Sequence, residues 1–382
     1  MEDHEKFREW VTAEKGVKIN GITAHKFEGR GVGIIAEKRL EANTTILIVP
    51  IPALRTVHTL PKSLQPLAKS APTIHGLLAL MLVLDTTPKF SLWSAVLPTD
   101  SDFQSTMPLH YPPSLQDLLP TSSKTLLAHQ KEKLLADWEF ASSHYPKIPY
   151  EDYLYAWLLV NTRTFYFVSP SPGAVTPKNH DDCMALNPFA DYFNHSSVGC
   201  HVSLTTSGYT ISTNRLYSKG EEVFISYGNH SNDFFLTEYG FILPGVEEEA
   251  GNEWDEVLLD DYILPLLSSE KKERLKDAGF WGKYILDGRE VCYRTQVALR
   301  AQCLSARKWQ RFVDGSDDGD EDEEAVNEVL LKVLKRYKKD ADKTAKQVRA
   351  IKDGEANHRD TLARRWKQIS NLLQRAINRI QS

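Results

Sequence analysis

Two short clusters within residues 187–241 constrain the fold of this chain more than any other feature. The first, residues 187–196, reads Asn-Pro-Phe-Ala-Asp-Tyr-Phe-Asn-His-Ser, and the second, residues 220–232, reads Gly-Glu-Glu-Val-Phe-Ile-Ser-Tyr-Gly-Asn-His-Ser-Asn. Residues 223–225 are strand-forming and run directly into Tyr227 and a glycine. This order predicts a turn and a short strand whose end presents the Tyr227 hydroxyl to a cavity.

The composition is that of a globular protein and disfavours several functional classes. The 382 residues are enough for two domains, and 41 % hydrophobic and 25 % charged residues are ordinary values. The formal net charge of -5 provides no global basic field, so we expect no nucleic-acid partner. There is no signal-peptide pattern and no run near the ~20 apolar residues that a membrane span needs. We therefore expect an intracellular monomer of the cytoplasm and/or nucleus, with no membrane partner.

Cysteine spacing argues against a zinc knuckle and a redox pair, because no C-x-x-C pair occurs. The cysteines are Cys183, Cys200, Cys292 and Cys303. A metal site of a hydrolase could still be drawn from His180, Asp181, Asp182, Cys183, His195, Cys200 and His201. Their spacing matches neither H-x-x-x-H nor paired C-x-x-C ligand patterns. We therefore expect no bound metal.

Two β-rich runs, residues 27–36 and 40–50, are separated by polar turn residues and predict a hairpin or meander. The first run holds Gly29, Gly31 and Gly33, and glycine lets the backbone adopt positive φ or approach a ligand closely. The pattern is not G-x-G-x-x-G and no helix follows, which argues against a dinucleotide-binding fold. A ligand-binding loop and a plain tight turn both stay open at this point.

Residues 73–167 show helical periodicity, with a buried helix at 76–84 and further helices at 126–140 and 153–161. Strand patterns resume after this block, so it is interpreted as an insertion in a β domain. At its end, Arg163 lies among apolar and aromatic residues. Its stem can pack on aromatic rings at the surface, or its guanidinium can bind a carboxylate in a pocket. The sequence favours neither interpretation.

After Pro244 the pattern is helical, with helices predicted at residues 262–275 and 293–312. The acidic block at residues 314–324 predicts a solvated loop. Two amphipathic helices then predict a helical hairpin. Their apolar stripes are Val326, Val329, Leu330, Val333, Leu334 and Tyr337, and Leu362, Trp366, Ile369, Leu373, Ile377 and Ile380. Residues 335–339 are interpreted as a solvated helix face, with a nuclear address as the alternative.

Together these clusters resemble motifs of the SET-domain protein methyltransferases, in particular the group typified by the Rubisco large-subunit lysine methyltransferase. Residues 191–196 resemble its Asp-x-x-Asn-His-Ser motif, and residues 220–232 with 239–241 resemble its closing motif. Residues 29–33 resemble its opening glycine-rich β segment. The motifs occur in the family's order, and the resemblance covers most of the chain.

The resemblance implies an α+β fold: a small-sheet, knotted β SET core with an inserted helical subdomain, followed by an all-α C-terminal domain. The SET domain is expected at residues 1–245, with its β core at about 17–56 and 183–245 and the helical insertion at about 72–167. An all-helical substrate-binding domain is expected at residues 246–382.

The resemblance also implies S-adenosylmethionine as the methyl donor and a lysine acceptor that enters through a narrow channel. Tyr227 is expected to be the catalytic residue at the reaction centre. The expected cofactor-binding residues are Arg30, Gly31, Val32, Arg163, Asn194, His195, Tyr227 and Phe241. The expected substrate-binding residues are Arg163, Asp191 and Tyr239, with Arg163 near both the cofactor carboxylate and the substrate.

These residue types agree with methyl transfer to an amine. A lysine has a reference pKa of ~10.4, so reaching its neutral, nucleophilic form at neutral pH costs roughly 4 kcal/mol. An apolar channel and the positive sulfonium of the donor both disfavour the ammonium. Tyr227 then needs only to orient the amine and the methyl group in line. Its phenol, with a reference pKa of ~10, need not be ionised.

The region after the core narrows the substrate class. No cysteine cluster occurs beyond residue 241, so the zinc-bound element of histone-directed relatives is not expected. This favours a non-histone protein substrate, with ribosomal and translation-related proteins as candidates. A histidine acceptor in the same architecture and a non-catalytic SET-like module that binds protein through its helical tail both stay open.

Overall fold

The computed structural model describes residues 1–28, 30–170, 177, 179–248 and 251–382, so Gly29 of the predicted glycine segment lies outside the described residues. The strands in chain order are β1 (Lys18–Ile19), β2 (Ile22–Phe27), β3 (Gly31–Ala36), β4 (Thr45–Pro50), β5 (Thr164–Tyr166), β6 (Met184–Leu186), β7 (His195–Thr205), β8 (Gly208–Ser212), β9 (Glu222–Val223), β10 (Glu256–Leu258) and β11 (Ile285–Asp287). The helices in chain order are α1 (Glu2–Lys15), α2 (Ile74–Leu84), α3 (Pro88–Ser94), α4 (Asp100–Thr106), α5 (Pro113–Gln116), α6 (Thr121–His144), α7 (Tyr150–Arg163), α8 (Asn232–Tyr239), α9 (Asp260–Ile263), α10 (Ser269–Asp277), α11 (Tyr293–Cys303), α12 (Ala306–Val313), α13 (Glu323–Ala350) and α14 (Ala356–Gln381).

The chain divides into two compact units, and its mixture of small sheets and helices confirms the predicted α+β class. Unit 1 comprises Met1–Gln104 and Ala128–Asn229, and unit 2 comprises Ser105–Leu127 and His230–Ser382. The expected functional boundary at residue 245 stays a prediction, because the units report compactness rather than function. Among the described residues, no helix combines the length and the apolar character needed to cross a membrane.

The β core of unit 1 consists of small antiparallel sheets. Their strand orders are β1-β4-β8-β7, β2-β3-β9 and β5-β6. The β7–β8 hairpin closes with Thr205 opposite Gly208. Gly208 has a φ of 131°, and a Cβ at this position would collide with the backbone of Val49 and Pro50 on β4. Only glycine therefore lets β4 and β8 pair at this end.

The helical block of unit 1 leads the chain into the first cluster. The helix α2 begins after Thr73, whose hydroxyl accepts a hydrogen bond from the N–H of Gly76 at 2.9 Å. It packs on α7, where Trp157 stacks on His75 with ring centroids 4.0 Å apart. The helix α7 ends at Arg163, and the chain continues directly into β5, which pairs with β6. This continuity brings Arg163 close to the residues that follow β6.

The two clusters meet where the residues after β9 cross the start of β7. Ile225 forms parallel bridges with both His195 and Cys200. Its N–H donates to the carbonyl of Asn194 at 3.1 Å. Gly199 lies against this crossing, because a Cβ there would collide with the backbone of Ile225. The crossing is the feature that the resemblance describes as a knotted core.

Unit 2 is mainly helical and is organised around the hairpin of α13 and α14, which the apolar stripes predicted. The buried stripe residues are Val326, Leu330, Val333, Leu334 and Tyr337 on α13, and Leu362, Trp366, Ile369, Leu373 and Ile377 on α14. Arg365 of α14 is fully buried and lies 2.7 Å from both Asp233 of α8 and Asp255. These three residues form a buried ionic triad inside the unit.

Two helices predicted in the C-terminal region are each divided in two. Within residues 262–275, Pro265 follows α9, and Ser268 caps the new helix α10. Within residues 293–312, α11 ends before Ser305, which caps α12. Serine and proline at these positions supply the cap and the break that the apolar periodicity alone did not indicate.

The acidic block is only partly a loop. After a single 3-10 turn at Asp320–Asp322, Glu323 and Glu324 already form the first turn of α13. Acidic side chains are stabilising near a helix N-terminus, where the backbone N–H groups carry a partial positive charge. The prediction of a solvated loop over residues 314–324 is therefore too long at its end.

Candidate active site

Tyr227 follows the crossing, and the first cluster holds it at two points. Its hydroxyl donates a hydrogen bond to the carbonyl of Phe193 at 2.6 Å, and its backbone N–H donates to Nδ1 of His195 at 3.0 Å. Because Nδ1 accepts from a backbone N–H, this nitrogen is unprotonated. The two rings lie 5.1 Å apart. The imidazole of His195 therefore positions the tyrosine.

The phenol of Tyr227 is neutral at physiological pH. Loss of solvation raises its pKa to about 12, the guanidinium of Arg163 works in the opposite direction, and the charges of Asp191 and Glu222 raise the pKa further. A phenol with this pKa does not serve as a phenolate base at pH 7. The arrangement instead favours orientation of a partner by the hydroxyl oxygen.

Arg163, at the end of α7, makes a direct contact with the first cluster. Its Nη1 donates a hydrogen bond to the carbonyl oxygen of Asp191 at 2.6 Å. Its Nε is buried and has no hydrogen-bond partner among the described residues. A guanidinium N–H that is buried without an acceptor can bind an anionic or carbonyl oxygen. Arg163 therefore combines a fixed position with an unused donor.

Asp191 is buried on a single 3-10 turn and is only 7 % exposed. Its Oδ2 accepts a hydrogen bond from Nε1 of Trp93 at 3.0 Å. Burial raises the pKa of Asp191 to about 6, although the charge of Arg163 opposes the rise. Phe189, which precedes the turn, has a φ of 70°, a conformation that large side chains rarely adopt. The strained backbone and the buried carboxyl thus adjoin one another.

Glu222 is the site residue that the sequence reasoning missed. Its Oε1 accepts a hydrogen bond from Nδ2 of Asn194 at 2.9 Å, and its Oε2 accepts one from Arg30 at 2.9 Å. The side chain is only 10 % exposed. Its neighbour Glu221 pairs instead with Arg215 on the surface. The alternation of side chains in a strand could have indicated that only one glutamate of the pair faces inward.

The opening glycine segment offers accessible backbone. Gly31 has a φ of 78° and begins β3, and among the described residues, its two chain neighbours apart, no heavy atom lies within 4 Å of the place where a Cβ would be. Val32 lies beside it in β3, opposite Lys26 of β2. Backbone groups in an open position can contact a ligand without interference from a side chain. Gly31 and Val32 therefore offer backbone that a ligand could approach closely.

Two of the predicted residues, Tyr239 and Phe241, belong to unit 2. Their rings lie 6.0 Å apart, and Phe241 also stacks on Phe235 at 5.3 Å. They flank Gly240, which ends α8 with a φ of 77°. The structure therefore groups the predicted residues in three sets: Arg163, Asp191 and Tyr227 with His195; Arg30 and Asn194 with Gly31 and Val32; and Tyr239 with Phe241.

In the described part of the chain, no cluster of three or more His, Cys, Asp or Glu residues could hold a metal ion.

Two protein-family models match the chain. The SET domain model matches residues 31–228, which is more than half of the chain. The model described as the C-terminal domain of ribosomal lysine N-methyltransferase 2 matches residues 255–379. The first cluster, residues 220–228 of the second cluster and the glycine segment from Gly31 onward lie within the first match.

Curated relatives are 26 % to 29 % identical to the chain over the aligned residues. Ribosomal lysine N-methyltransferase set11 of Schizosaccharomyces pombe is 29 % identical over 253 residues, which are 63 % of this chain and 62 % of that protein. SET domain-containing protein 4 of Mus musculus is 26 % identical, over 93 % of this chain and 86 % of that protein. The actin-histidine N-methyltransferase of Canis lupus familiaris is 26 % identical over 61 % of this chain and 41 % of that protein. The chain thus spans less than two thirds of the length of the first relative.

Solved structures of Rubisco LSMT have the same fold. The structure of Rubisco LSMT bound to AdoMet aligns with a TM-score of 0.66 and 17 % identity, over 99 % of this chain and 91 % of that chain. The SET domain of LSMT bound to lysine and AdoHcy aligns with a TM-score of 0.64 and 16 % identity, over 100 % and 91 % of the two chains. At this level of identity, the likeness shows the fold alone.

Proposed function

Because the chain belongs to the SET-domain family of S-adenosylmethionine-dependent protein methyltransferases, we propose that it transfers a methyl group to a lysine side chain of a non-histone protein. The observation that carries this proposal is the neutral, doubly held Tyr227 beside the charges of Arg163 and Asp191. The set11 relative and the matched C-terminal domain model are both named after ribosomal lysine N-methyltransferases, which supports lysine as the acceptor and ribosomal or translation-related proteins as candidate substrates.

The residue roles that the resemblance implies are proposed for this chain as well. Backbone groups at Arg30, Gly31 and Val32 and the unused N–H of Arg163 hold the cofactor's amino-acid end, while Asn194, His195 and Phe241 contact the rest of it. Bound S-adenosylmethionine supplies an electrophilic methyl group. Asp191 and Tyr239 line the lysine channel. The binding roles of all these residues are proposals.

Tyr227 is proposed to be the catalytic residue through orientation. Its proton is directed at the carbonyl of Phe193, so the lone pairs of its oxygen can accept a hydrogen bond from an amine N–H. Loss of solvation disfavours the ammonium form of the acceptor and the positive charge of Arg163 adds to this effect, whereas the carboxylate of Asp191 opposes it. The amine would therefore be held neutral and in line with the methyl group, without a phenolate base.

We propose that the two regions of the chain have different functions. Residues 1–245 form the SET domain that carries out methyl transfer, and residues 246–382 form a substrate-binding domain. The match of residues 255–379 to a C-terminal domain model supports the second assignment. A monomer in the cytoplasm and/or nucleus, with no nucleic-acid partner, remains our expectation.

The test is a labelling experiment with the whole protein. The purified chain is incubated with isotopically labelled S-adenosylmethionine and a lysate enriched in ribosomal proteins, and mass spectrometry locates the label. We expect label on lysine of one or a few proteins. Label on histidine would replace the lysine acceptor with the alternative, and cofactor binding without any transfer would favour the non-catalytic module. Absence of cofactor binding would reject the proposed function.

A further inference from the structure

Glu222 joins two segments that lie far apart in the sequence. One carboxylate oxygen accepts from Nδ2 of Asn194 and the other from Arg30, both at 2.9 Å. Asn194 lies in the first cluster, whereas Arg30 directly precedes β3. A carboxylate accepts hydrogen bonds only, so it also determines that the amide N–H₂ of Asn194 faces it. The second oxygen holds an arginine whose side chain is 57 % exposed.

The Glu222–Asn194 hydrogen bond is closely packed on the side that faces Gly33. Gly33 of β3 faces the bond, and a Cβ at Gly33 would collide with Nδ2 of Asn194 and lie 2.9 Å from Oε1 of Glu222. The ring of Phe27 closes the same space, and the guanidinium of Arg30 lies over that ring at 4.6 Å. In the antiparallel pairing of β9 with β3, Glu222 lies opposite Ile35. The backbone of β3 at Gly33 therefore lies directly against the Glu222–Asn194 hydrogen bond.

We infer that Glu222 is a positioning residue that holds Arg30, the β3 backbone and Asn194 in the arrangement that S-adenosylmethionine requires. This inference rests on the proposed function, and it assigns the second glutamate of residues 220–222 a role that the sequence motif alone does not show. Glu222 does not itself act on the methyl group. It acts through Arg30 and Asn194, so its loss lowers cofactor affinity more than turnover at saturating cofactor.

Glu221, the residue directly before β9, provides a matched control. It has the same charge and adjoins Glu222, but it pairs with Arg215 and accepts from the N–H of Ser218 at 2.9 Å. These side-chain contacts of Glu221 with described residues involve none of the proposed cofactor-binding residues. A glutamate-to-glutamine change at either position removes one negative charge and keeps the side-chain length. The two variants therefore differ only in which contacts they break.

The experiment measures S-adenosylmethionine binding by calorimetry, and KM and kcat by methyl transfer, in the full chain. Glu222→Gln is expected to raise the Kd and the KM for the cofactor about tenfold or more, because a charge-assisted bond on each oxygen is lost. Its kcat at saturating cofactor is expected to change less than threefold, and Glu221→Gln should keep the Kd within about twofold. An unchanged Kd in Glu222→Gln, even with lower stability in urea, overturns the inference and leaves the proposed function intact.

Arg30→Met provides a second variant if Glu222→Gln does not fold. This variant removes the ion pair between Arg30 and Glu222, and we expect a Kd for S-adenosylmethionine several-fold above that of the unaltered chain. A Kd equal to that of the unaltered chain counts against the positioning role. If the unaltered protein itself binds no S-adenosylmethionine, the proposed function fails, and the inference fails with it.

Discussion

Tyr227 shows how burial determines the role of a single side chain. A phenol with a pKa of about 12 stays protonated across the range in which enzymes are assayed. Its hydroxyl already donates to Phe193, so the available function is acceptance and alignment rather than proton abstraction. The acceptor amine must then lose its proton to solvent before it reacts.

Tyr227→Phe is the direct test at this scale. The variant keeps the ring but loses the hydroxyl, so we expect kcat to fall by about 100-fold or more, while the Kd for S-adenosylmethionine changes by less than about threefold. Initial rates with labelled cofactor and calorimetric titration measure the two quantities.

Tyr209→Phe is the control for this substitution. Tyr209 is buried in unit 1, and its hydroxyl also donates to a backbone carbonyl, that of Tyr166, at 2.5 Å. Its removal costs a comparable hydrogen bond away from the proposed site, so activity should stay within about twofold. Full activity in Tyr227→Phe, or an equal loss in both variants, would remove Tyr227 from the reaction centre.

The raised pKa of Asp191 predicts how the free energy of unfolding depends on pH. Its pKa rises from 3.8 to about 6 on folding, so the folded state favours the protonated carboxyl, and this contribution is lost as pH rises from about 4 through 6. Asp191→Asn removes the titrating group and can still accept from Trp93. The free energy of unfolding of the variant minus that of the unaltered chain should therefore increase by up to roughly 3 kcal/mol between pH 4 and 7. Urea titrations at several pH values measure it, and two parallel curves would contradict the prediction.

At the scale of elements, a buried ionic triad connects α14 with α8 and with the residue before β10. Arg365 is 0 % exposed and lies between Asp233 and Asp255. Burial raises the pKa of Asp233 even with the guanidinium present. Without the arginine, two carboxylates would lie buried and close together with no counter-charge.

Arg365→Met should therefore destabilise the protein by about 3–5 kcal/mol at pH 7. The loss should be smaller at low pH, because the two carboxyls then become neutral. Arg375→Met on the same helix is the control: its pairing with Glu247 at 3.3 Å is partly exposed, so its loss should be below about 1 kcal/mol. Urea unfolding measures both, and equal losses would show that burial of the triad does not matter.

For some helices the sequence pattern alone is sufficient to predict the buried face. The stripes of α13 and α14 repeat at the helical period over many residues, so their buried faces were predictable. The helices predicted at 262–275 and 293–312 were wrong in one respect, since each contains a break. Apolar periodicity continues across both breaks, and only the proline after α9 and the serine caps mark them.

At the scale of the whole molecule, the distribution of charge matters more than its sum. The formal net charge is -5, yet a groove of about 850 Å³ on α13 and α14 is lined by five lysines. Of its two acidic residues, Asp342 pairs with Lys338 and accepts from Ser370, while Asp340 accepts from Tyr262. The groove lysines for which the described residues show no ion pair are Lys335, Lys339, Lys343 and Lys346. A positive surface therefore lies on the proposed substrate-binding domain.

If residues 246–382 bind the substrate, this groove should favour a protein that carries an acidic segment near its target lysine. The double variant Lys339→Glu with Lys343→Glu should raise the KM for the whole protein substrate about tenfold, with kcat unchanged, and less so in high salt. A short peptide around the target lysine should show no change. The control is Lys62→Glu with Lys69→Glu, exposed lysines of unit 1 with the same change in net charge. Equal effects of the two double variants would reject a role for the groove.

The sequence by itself predicted many of the elements and the motif residues. The hairpin or meander predicted for residues 27–36 and 40–50 was wrong, because β3 and β4 pair with other strands in two different sheets. Strand-formers before Tyr227, the helical block before Arg163 and the stripes of the last two helices are local patterns, and local patterns encode local structure. The order of the motifs was sufficient to predict the fold class and the family. These conclusions needed no knowledge of which distant residues touch.

Only the tertiary structure decided which partners the site residues have. Glu222 rather than Glu221 binds Asn194 and Arg30, and the hydroxyl of Tyr227 meets the carbonyl of Phe193. Each of these contacts joins residues that lie far apart in the chain, and they depend on how residues after β9 cross the start of β7. Neighbours along the chain cannot specify such a crossing, because the desolvation and charges that raise the pKa of Tyr227 and Asp191 arise only when the segments pack together.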